Sequence, residues 1–261
     1  AQQERYPNVD WQKALFNDFA MSYNANVNVS GGTKFVKYFA SADYVNEGDL
    51  FKVYPNNRGY QSGYGYDRVN VRSNLDFKIT NTTTLRVNLA GSSARRTAPT
   101  MNSTNDIWQI QQQWAGAYNI APDVFLPVYS DGAWGYYPQT SNVTNSAQNL
   151  STGGIFETTT NRINTDFTLE QDLGFITKGL SLRGLISWDN QFVESGRGVS
   201  DMYNDPVVKW IDPDTGNVTF KTPVTPYHNF DYSQPIKRTT GGGSVNNWST
   251  TRNLYYKGQP H

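Results

Sequence analysis

The feature that most constrains the fold is a strict alternation of apolar and polar side chains over residues 66–93. A period of two places apolar residues on one face of a β-strand and polar residues on the other. The apolar members are Val69, Val71, Leu75, Phe77 and Ile79, and then, after the turn-forming run Thr80-Asn81-Thr82-Thr83, Leu85, Val87 and Leu89. The stretch therefore predicts a hairpin of two long antiparallel strands.

The charges of this hairpin predict its register. Partners across a pair share a face, so the apolar residues of one strand must lie opposite those of the other. One such register sets Lys78 opposite Arg86, and the next sets Asp76 there. Opposite charges across a pair contribute about 0.2–1 kcal/mol, whereas like charges cost free energy. We therefore predict the pairing of Asp76 with Arg86, with a five-residue connection at 79–83.

Two further stretches alternate in the same way, at residues 19–45 and 159–192. Tight turns interrupt them at 31–34 and 174–178, so each stretch predicts another hairpin. The connections between hairpins are long and cover about residues 46–65, 94–158 and 194–243. Short turns at one end and long loops at the other are typical of an outer-membrane β-barrel.

The composition suits two classes of protein. Hydrophobic residues make up only 37% of the chain, while aromatic residues reach 14%, with 17 Tyr and 7 Trp. A transmembrane barrel has a polar lumen, needs apolar residues only at alternate positions, and gathers aromatic rings at the membrane interfaces. A soluble all-β carbohydrate-binding protein is also rich in Tyr, Trp, Gly and Asn. Composition by itself does not separate the two.

Several kinds of chemistry find no support in the residues. The chain has no Cys, and His228 and His261 are its only histidines, which leaves little basis for a His-based triad or a two-His metal site. The formal charge is zero, so no nucleic-acid footprint is present. We expect neither catalysis nor a cofactor. The acidic residues assigned to loops are expected to be solvated: Asp123, Asp131, Glu157, Glu194, Asp201 and Asp205.

No run of 18 apolar residues occurs, which excludes a transmembrane helix. Residues 1–5 lack a basic start and an apolar centre, so they do not form an intact signal peptide.

The long loop at 94–158 contains a predicted helix and a group of aromatic residues. Ser103-Thr104-Asn105-Asp106 predicts the start of a helix of about three turns. Trp108 and Trp114 in this helix have a helical spacing that favours packing within the loop. Beyond it we select five candidate substrate-binding residues, which are Tyr129, Asp131, Trp134, Tyr136 and Tyr137. The rings of Trp134, Tyr136 and Tyr137 suit either stacking on a substrate or a small core that shapes the loop.

The third loop contains the string IDPDTGN at residues 211–217, between two short apolar runs. The string resembles part of a calcium loop, but the following residues 218–222 lack the carboxylate that would complete it. A hairpin turn with Gly216 at a positive φ explains the same residues. We predict the hairpin.

Five passages, taken together and in order, resemble the barrel of SusC/RagA-type TonB-dependent transporters. PNVDW at residues 7–11, VNVSGG at 27–32 and KYFASADY at 37–44 resemble the start of that barrel. YDRVNVRSNLDF at 66–77 and TNRINTDF at 160–167 are similar to the hairpins that follow. Each passage alone is an ordinary strand, and the resemblance covers most of the chain.

The resemblance implies an all-β fold, an antiparallel segment of a 22-stranded transmembrane barrel. Residues 1–18 would lead into the barrel, and residues 19–261 would form part of its wall with long extracellular loops. The family's plug domain and TonB-binding segment are not visible, so we expect a fragment of a larger importer in the cell outer membrane. Its implied partners are a SusD-like surface lipoprotein, TonB through the missing parts, outer-membrane lipid, and an oligosaccharide or peptide substrate. The alternative is a soluble glycan-binding β-sandwich.

Overall fold

The computed structural model describes residues 2–99, 106–140, 143–201, 204–221, 235–239 and 248–260. Strands hold 53% of the residues and helices 11%, so the fold is mainly antiparallel sheet. The long strands are β1 (Ser22–Gly32), β2 (Val36–Glu47), β3 (Gly65–Lys78) and β4 (Thr83–Ala98). They are followed by the short β5 (Trp134–Gly135) and the long β6 (Ile155–Asp172) and β7 (Ser181–Ser200). The remaining strands are β8 (Val208–Ile211), β9 (Val218–Phe220), β10 (Lys237–Thr239) and β11 (Trp248–Pro260).

Four helices accompany the strands: α1 (Gln2–Arg5), α2 (Trp11–Leu15), α3 (Asp106–Asn119) and α4 (Ser146–Thr152). No helix in the described ranges is both long and apolar enough to cross a membrane.

The main sheet is an antiparallel meander in the order β1-β2-β3-β4-β6-β7, and β10 and β11 both pair with the remaining edge of β7. All three predicted hairpins are confirmed. Their short connections lie at one end of the sheet, called here the turn end, and the long connections lie at the other, the loop end. Strands β4, β6 and β7 reach further toward the loop end than predicted. The loop predicted at 94–158 therefore begins later and ends earlier, and the loop predicted at 194–243 begins later.

The predicted register is also confirmed. Asp76 pairs with Arg86, and a 3.9 Å ion pair joins the Asp76 Oδ1 and Arg86 Nε atoms. The pair of Lys78 with Thr84 is the last one, which leaves the five residues 79–83 between them. Cross-strand charge therefore identified the correct register among those that keep the apolar residues on one face.

The two faces of the sheet differ as the alternation predicts. One row of paired residues runs across the apolar face through Val27, Ala42, Val71, Gly91 and Ile163. Val27 is 68% exposed and Ile163 is 59% exposed, so this face does not pack against a second layer of the described chain. Further exposed residues of the same face are Leu89, Phe167, Leu169, Leu182 and Ile186.

The sandwich alternative needs a second large sheet over the apolar face. Apart from the main sheet, the described residues form only one other sheet, the small β5-β8-β9 sheet. Trp134 of β5 and Val208 of β8 belong to a hydrophobic core at the loop end, which places this sheet there. The described chain therefore does not form a sandwich.

That core belongs to a compact unit at the loop end, called here the cap, built from α2, α3, α4 and the small sheet. Its buried residues are Trp11, Leu15, Ala117, Ile120, Phe125, Trp134, Ala147 and Val208. The chain segment ahead of β1, predicted to lead into the barrel, contributes Trp11 and Leu15. It is held to the cap by backbone hydrogen bonds from Val9 to Pro122 (2.9 Å) and from Lys52 to Leu15 (2.8 Å).

Candidate functional site

The cap positions the aromatic segment at residues 125–137 through Asn145, the N-cap residue of α4. The Asn145 side chain accepts a hydrogen bond from the Gln148 backbone N–H, which caps the helix. Its amide group donates to the Pro127 and Gly135 carbonyls at 2.8 and 3.0 Å. One side chain therefore fixes the start of α4 against both ends of the aromatic segment.

Two of the five predicted site residues are buried, and Trp134 belongs to the core of the cap. Trp134 and Tyr129 are each only 3% exposed. The Trp134 ring makes an edge contact with Tyr54, with 6.1 Å between centroids. Burial raises the pKa of the Tyr129 hydroxyl, and the Lys209 ammonium lies 4.6 Å from its ring centroid. For Trp134, burial favours the packing interpretation over stacking on a substrate.

Asp131 is engaged in holding the cap together. Its carboxylate pairs with the Lys209 ammonium at 2.5 Å and accepts the Ala133 backbone N–H at 3.0 Å. Burial acts to raise the pKa of Asp131, but these two hydrogen bonds outweigh it and leave the pKa below its usual value. Lys209 is itself buried, so Asp131 neutralises a cation inside the cap.

Tyr136 and Tyr137 are half-buried and line an open cleft of about 360 Å³. The Tyr137 ring meets Trp210 edge-on at 6.0 Å, which fixes its orientation. Burial raises the pKa of the Tyr136 hydroxyl, so this group stays neutral and able to donate a hydrogen bond. Gln148 and Lys221 lie on the same cleft. Rings beside amide and ammonium donors can bind a flat or hydroxyl-rich ligand.

Other loop predictions are also tested by the structure. The helix is confirmed as α3, which is longer than predicted, while residues 103–105 of its predicted cap lie outside the described chain. The packing interpretation holds for Trp114, whose ring contacts those of Phe16 and Phe51 at 4.6 and 6.5 Å. The Trp108 side chain lies outside the described residues, as do His228 and His261.

The sequence suggested that the acidic residues of the loops are all solvated, and the structure shows that this is wrong for some of them. Glu157 and Glu194 lie in strands β6 and β7. Asp201 is buried and forms a two-point ion pair with Arg58, whose Nε and Nη2 atoms lie 3.1 and 2.9 Å from the carboxylate oxygens. Tyr60 donates a further hydrogen bond at 3.1 Å. No local signal in the sequence connects residues so far apart.

The string at 211–217 forms the predicted hairpin turn between β8 and β9. Gly216 has a φ of +77°, and the Asp212 carboxylate accepts the backbone N–H groups of Asp214 and Thr215. Over the described ranges, no group of three or more His, Cys, Asp or Glu residues is placed to hold a metal ion.

Comparisons with known proteins identify the fold. No family model and no curated protein matches the chain. Among solved structures, a chain of the RagAB peptide transporter matches 77% of this chain with a TM-score of 0.54 and 18% identity. The RagAB peptide importer in the closed-closed state matches 74%, with a TM-score of 0.51 and 19% identity. This chain spans 20% of either solved chain. The likeness confirms the predicted fold class, an antiparallel barrel-wall segment with long loops at one end.

Proposed function

We propose that this chain forms part of the wall of a TonB-dependent outer-membrane importer. The role is transport and not catalysis. The fold likeness to RagAB transporter chains supports the proposal, as does the resemblance of the strand sequences to the SusC/RagA family. The remaining strands, the plug and the TonB-binding segment would belong to parts of the protein outside this sequence.

The observation that carries the proposal is the uncovered apolar face of the main sheet. Exposed aliphatic residues extend from Val27 on β1 to Leu254 on β11. A water-soluble monomer rarely exposes an apolar surface of this extent, whereas a barrel wall presents such a band to lipid. The opposite face is strongly polar, as the lumen of a transport barrel requires.

The slope of the apolar band supports a tilted barrel wall. The row of paired residues that contains Val71 and Ile163 continues to Asn190 and Arg252, which are polar. Two residues nearer the turn end on the same face, Trp188 pairs with Leu254, so the face is apolar again at that level. Strands in a membrane barrel tilt by about 35–45°, so a row of paired residues crosses the bilayer obliquely. Asn190 and Arg252 would then lie near the edge of the lipid core.

The arrangement of connections sets the orientation. Long loops of such barrels are extracellular and short turns are periplasmic. The cap would therefore face the outside, where a SusD-like surface lipoprotein would cover it. The cargo would be an oligosaccharide or a peptide, and the names of the solved RagAB structures favour a peptide. Tyr136 and Tyr137 are the proposed contacts for this cargo.

The test places one charge on each face of β6 at neighbouring positions. Ile163→Arg puts the charge in the apolar band, where arginine costs up to about 2–4 kcal/mol at the bilayer midplane. Asn164→Arg puts it on the polar face. In the full-length chain, we expect Ile163→Arg to reduce the amount assembled in the outer membrane and Asn164→Arg to leave it unchanged. Equal tolerance of both charges, or a chain that is soluble and monomeric without detergent, would overturn the proposal.

A further inference from the structure

Arginines on the polar face of the main sheet differ in whether they have partners. Near the turn end, Arg86 and Arg183 both form ion pairs with Glu170, at 2.5 and 3.6 Å. Further along, Arg68 lies nearer the loop end of β3 and Arg72 lies at its middle, and both alternate with the apolar Val69 and Val71 and therefore share the polar face. Within the described part of the chain, neither of these two guanidinium groups has a hydrogen-bonded or ionic partner.

Missing neighbours in the sheet do not explain this difference. Strand β3 is paired along its length with β2 on one side and β4 on the other. The acidic residues nearest to them on the same face are Asp43, Glu47, Asp166 and Asp189, and no ion pair links these four to Arg68 or Arg72. Asp43 instead accepts a hydrogen bond from Asn70 at 2.7 Å.

Arg68 lies beside a cavity and has an unsatisfied donor. It lines a cleft of about 410 Å³ at the loop end, together with Glu47, Tyr64, Tyr66 and Arg96. Its Nε atom is buried and has no acceptor among the residues that the structure describes. A buried guanidinium donor without an acceptor is costly, because it loses hydration without gaining a hydrogen bond. A ligand oxygen that enters from the cleft would supply that acceptor.

The spacing of the arginines suits a chain-like ligand with carboxylates. Arg68 and Arg72 are about 13 Å apart along β3, and Arg162 on β6 lies two strands, or about 10 Å, to the side. The register places Arg162 level with Asn70, between the other two. Among the described residues, Arg162 donates only to the neutral Gln191. Guanidinium groups bind carboxylates through two parallel hydrogen bonds, which makes arginine well suited to this ligand.

We infer that Arg68, Arg72 and Arg162 form a carboxylate-binding site for cargo on the lumen side of the wall, extending from the loop side of the sheet to the middle of β3. The inference rests on the proposed transport function and specifies its cargo as acidic. Arg86 and Arg183 at the turn end already pair with Glu170, whereas these three arginines lie toward the end at which cargo enters. The carboxylates would come from acidic side chains or the C-terminus of a peptide, or from an acidic oligosaccharide.

The test uses the full-length chain and three probes: a pentapeptide rich in glutamate, the same peptide with glutamine in place of glutamate, and trigalacturonate. The variant is Arg68→Gln combined with Arg72→Gln. The control is Lys37→Gln, which removes a charge from the same face at the turn end. We expect the double variant to bind one of the acidic probes about tenfold more weakly, since it removes charge-assisted hydrogen bonds to the carboxylates. Binding of the glutamine peptide should not change, and added salt should weaken only acidic probes.

The acidic probe that loses affinity identifies the source of the carboxylate. Unchanged binding of both acidic probes would overturn the inference, as would an equal loss for the glutamine peptide or for Lys37→Gln. A fall in thermal stability without any change in probe binding would also overturn it, because the arginines would then pair with another part of the protein. Outer-membrane assembly is measured in parallel, so failure of the transport proposal is recognised separately.

Discussion

At the scale of single residues, the loop end of the sheet depends on a buried ion pair. Asp201, next to the end of β7, binds Arg58 in the loop between β2 and β3 and accepts additional hydrogen bonds from Tyr60 and Asn204. The side chains of Asp201 and Arg58 are 1% and 13% exposed. Removing one partner of such a pair leaves the other charge buried and unpaired, which is more costly than losing an exposed pair.

We therefore predict that Arg58→Gln destabilises the loop at residues 48–64 by about 3–5 kcal/mol. Hydrogen exchange of the loop amides and limited proteolysis would measure the effect. The control is Arg95→Gln, which breaks an exposed 3.5 Å pair with Asp67 and should cost less than about 1 kcal/mol. Equal protection of the loop in the two variants would show that the buried pair contributes little.

At the scale of elements, the loop-side ends of β6 and β7 are shaped by a bulge. Thr158 pairs with Ser195 and Glu157 pairs with Arg197, so Gly196 is an extra residue with a φ of +100°. A bulge of this kind changes which side chains share a face. The alternation of the sequence therefore ends near residue 158 although the backbone pairing continues to Ile155. This is the physical reason why both strands are longer than predicted.

The strand ends offer a matched pair of glycines in β7. Gly198 has a φ of +147°, and a Cβ atom there would overlap the Ile155 carbonyl oxygen. At Gly184 an added Cβ meets no other atom. We expect Gly198→Ala to cost at least about 1–3 kcal/mol and to separate the loop-side ends of the two strands. Gly184→Ala should leave the thermal unfolding midpoint close to that of the wild type. Similar midpoints for both variants would contradict this account of the bulge.

At the scale of the whole molecule, the chain divides its apolar residues between two environments. The cap buries a small core, while the sheet below leaves its apolar face uncovered. In the proposed membrane setting, lipid covers that face and the cap remains in water. Cap residues therefore divide into those that hold its core and those that face its cleft.

A comparison of tyrosines tests the cleft. Tyr136→Ala removes a half-buried ring from the cleft wall, and we expect it to weaken binding of the glutamate-rich pentapeptide about fivefold to tenfold, equivalent to about 1–1.4 kcal/mol. Tyr118 is 66% exposed on α3 and does not line the cleft, so Tyr118→Ala is the control. Trp134→Ala should instead destabilise the cap by about 3–5 kcal/mol, because that ring is buried. Equal binding by the two tyrosine variants would assign Tyr136 a structural role.

The sequence by itself determined the features that depend on neighbouring residues. The period of two predicted both faces of the sheet, the turn residues predicted the hairpins, and cross-strand charge predicted the register of Asp76 and Arg86. Only the tertiary structure decided which side chains are buried. Trp134 and Tyr136 are two residues apart and have similar neighbours in the sequence. Trp134 nevertheless lies in the core, whereas Tyr136 lies on the cleft. The difference arises from contacts with distant segments such as α2, as does the pairing of Asp201 with Arg58, and no local pattern encodes such contacts.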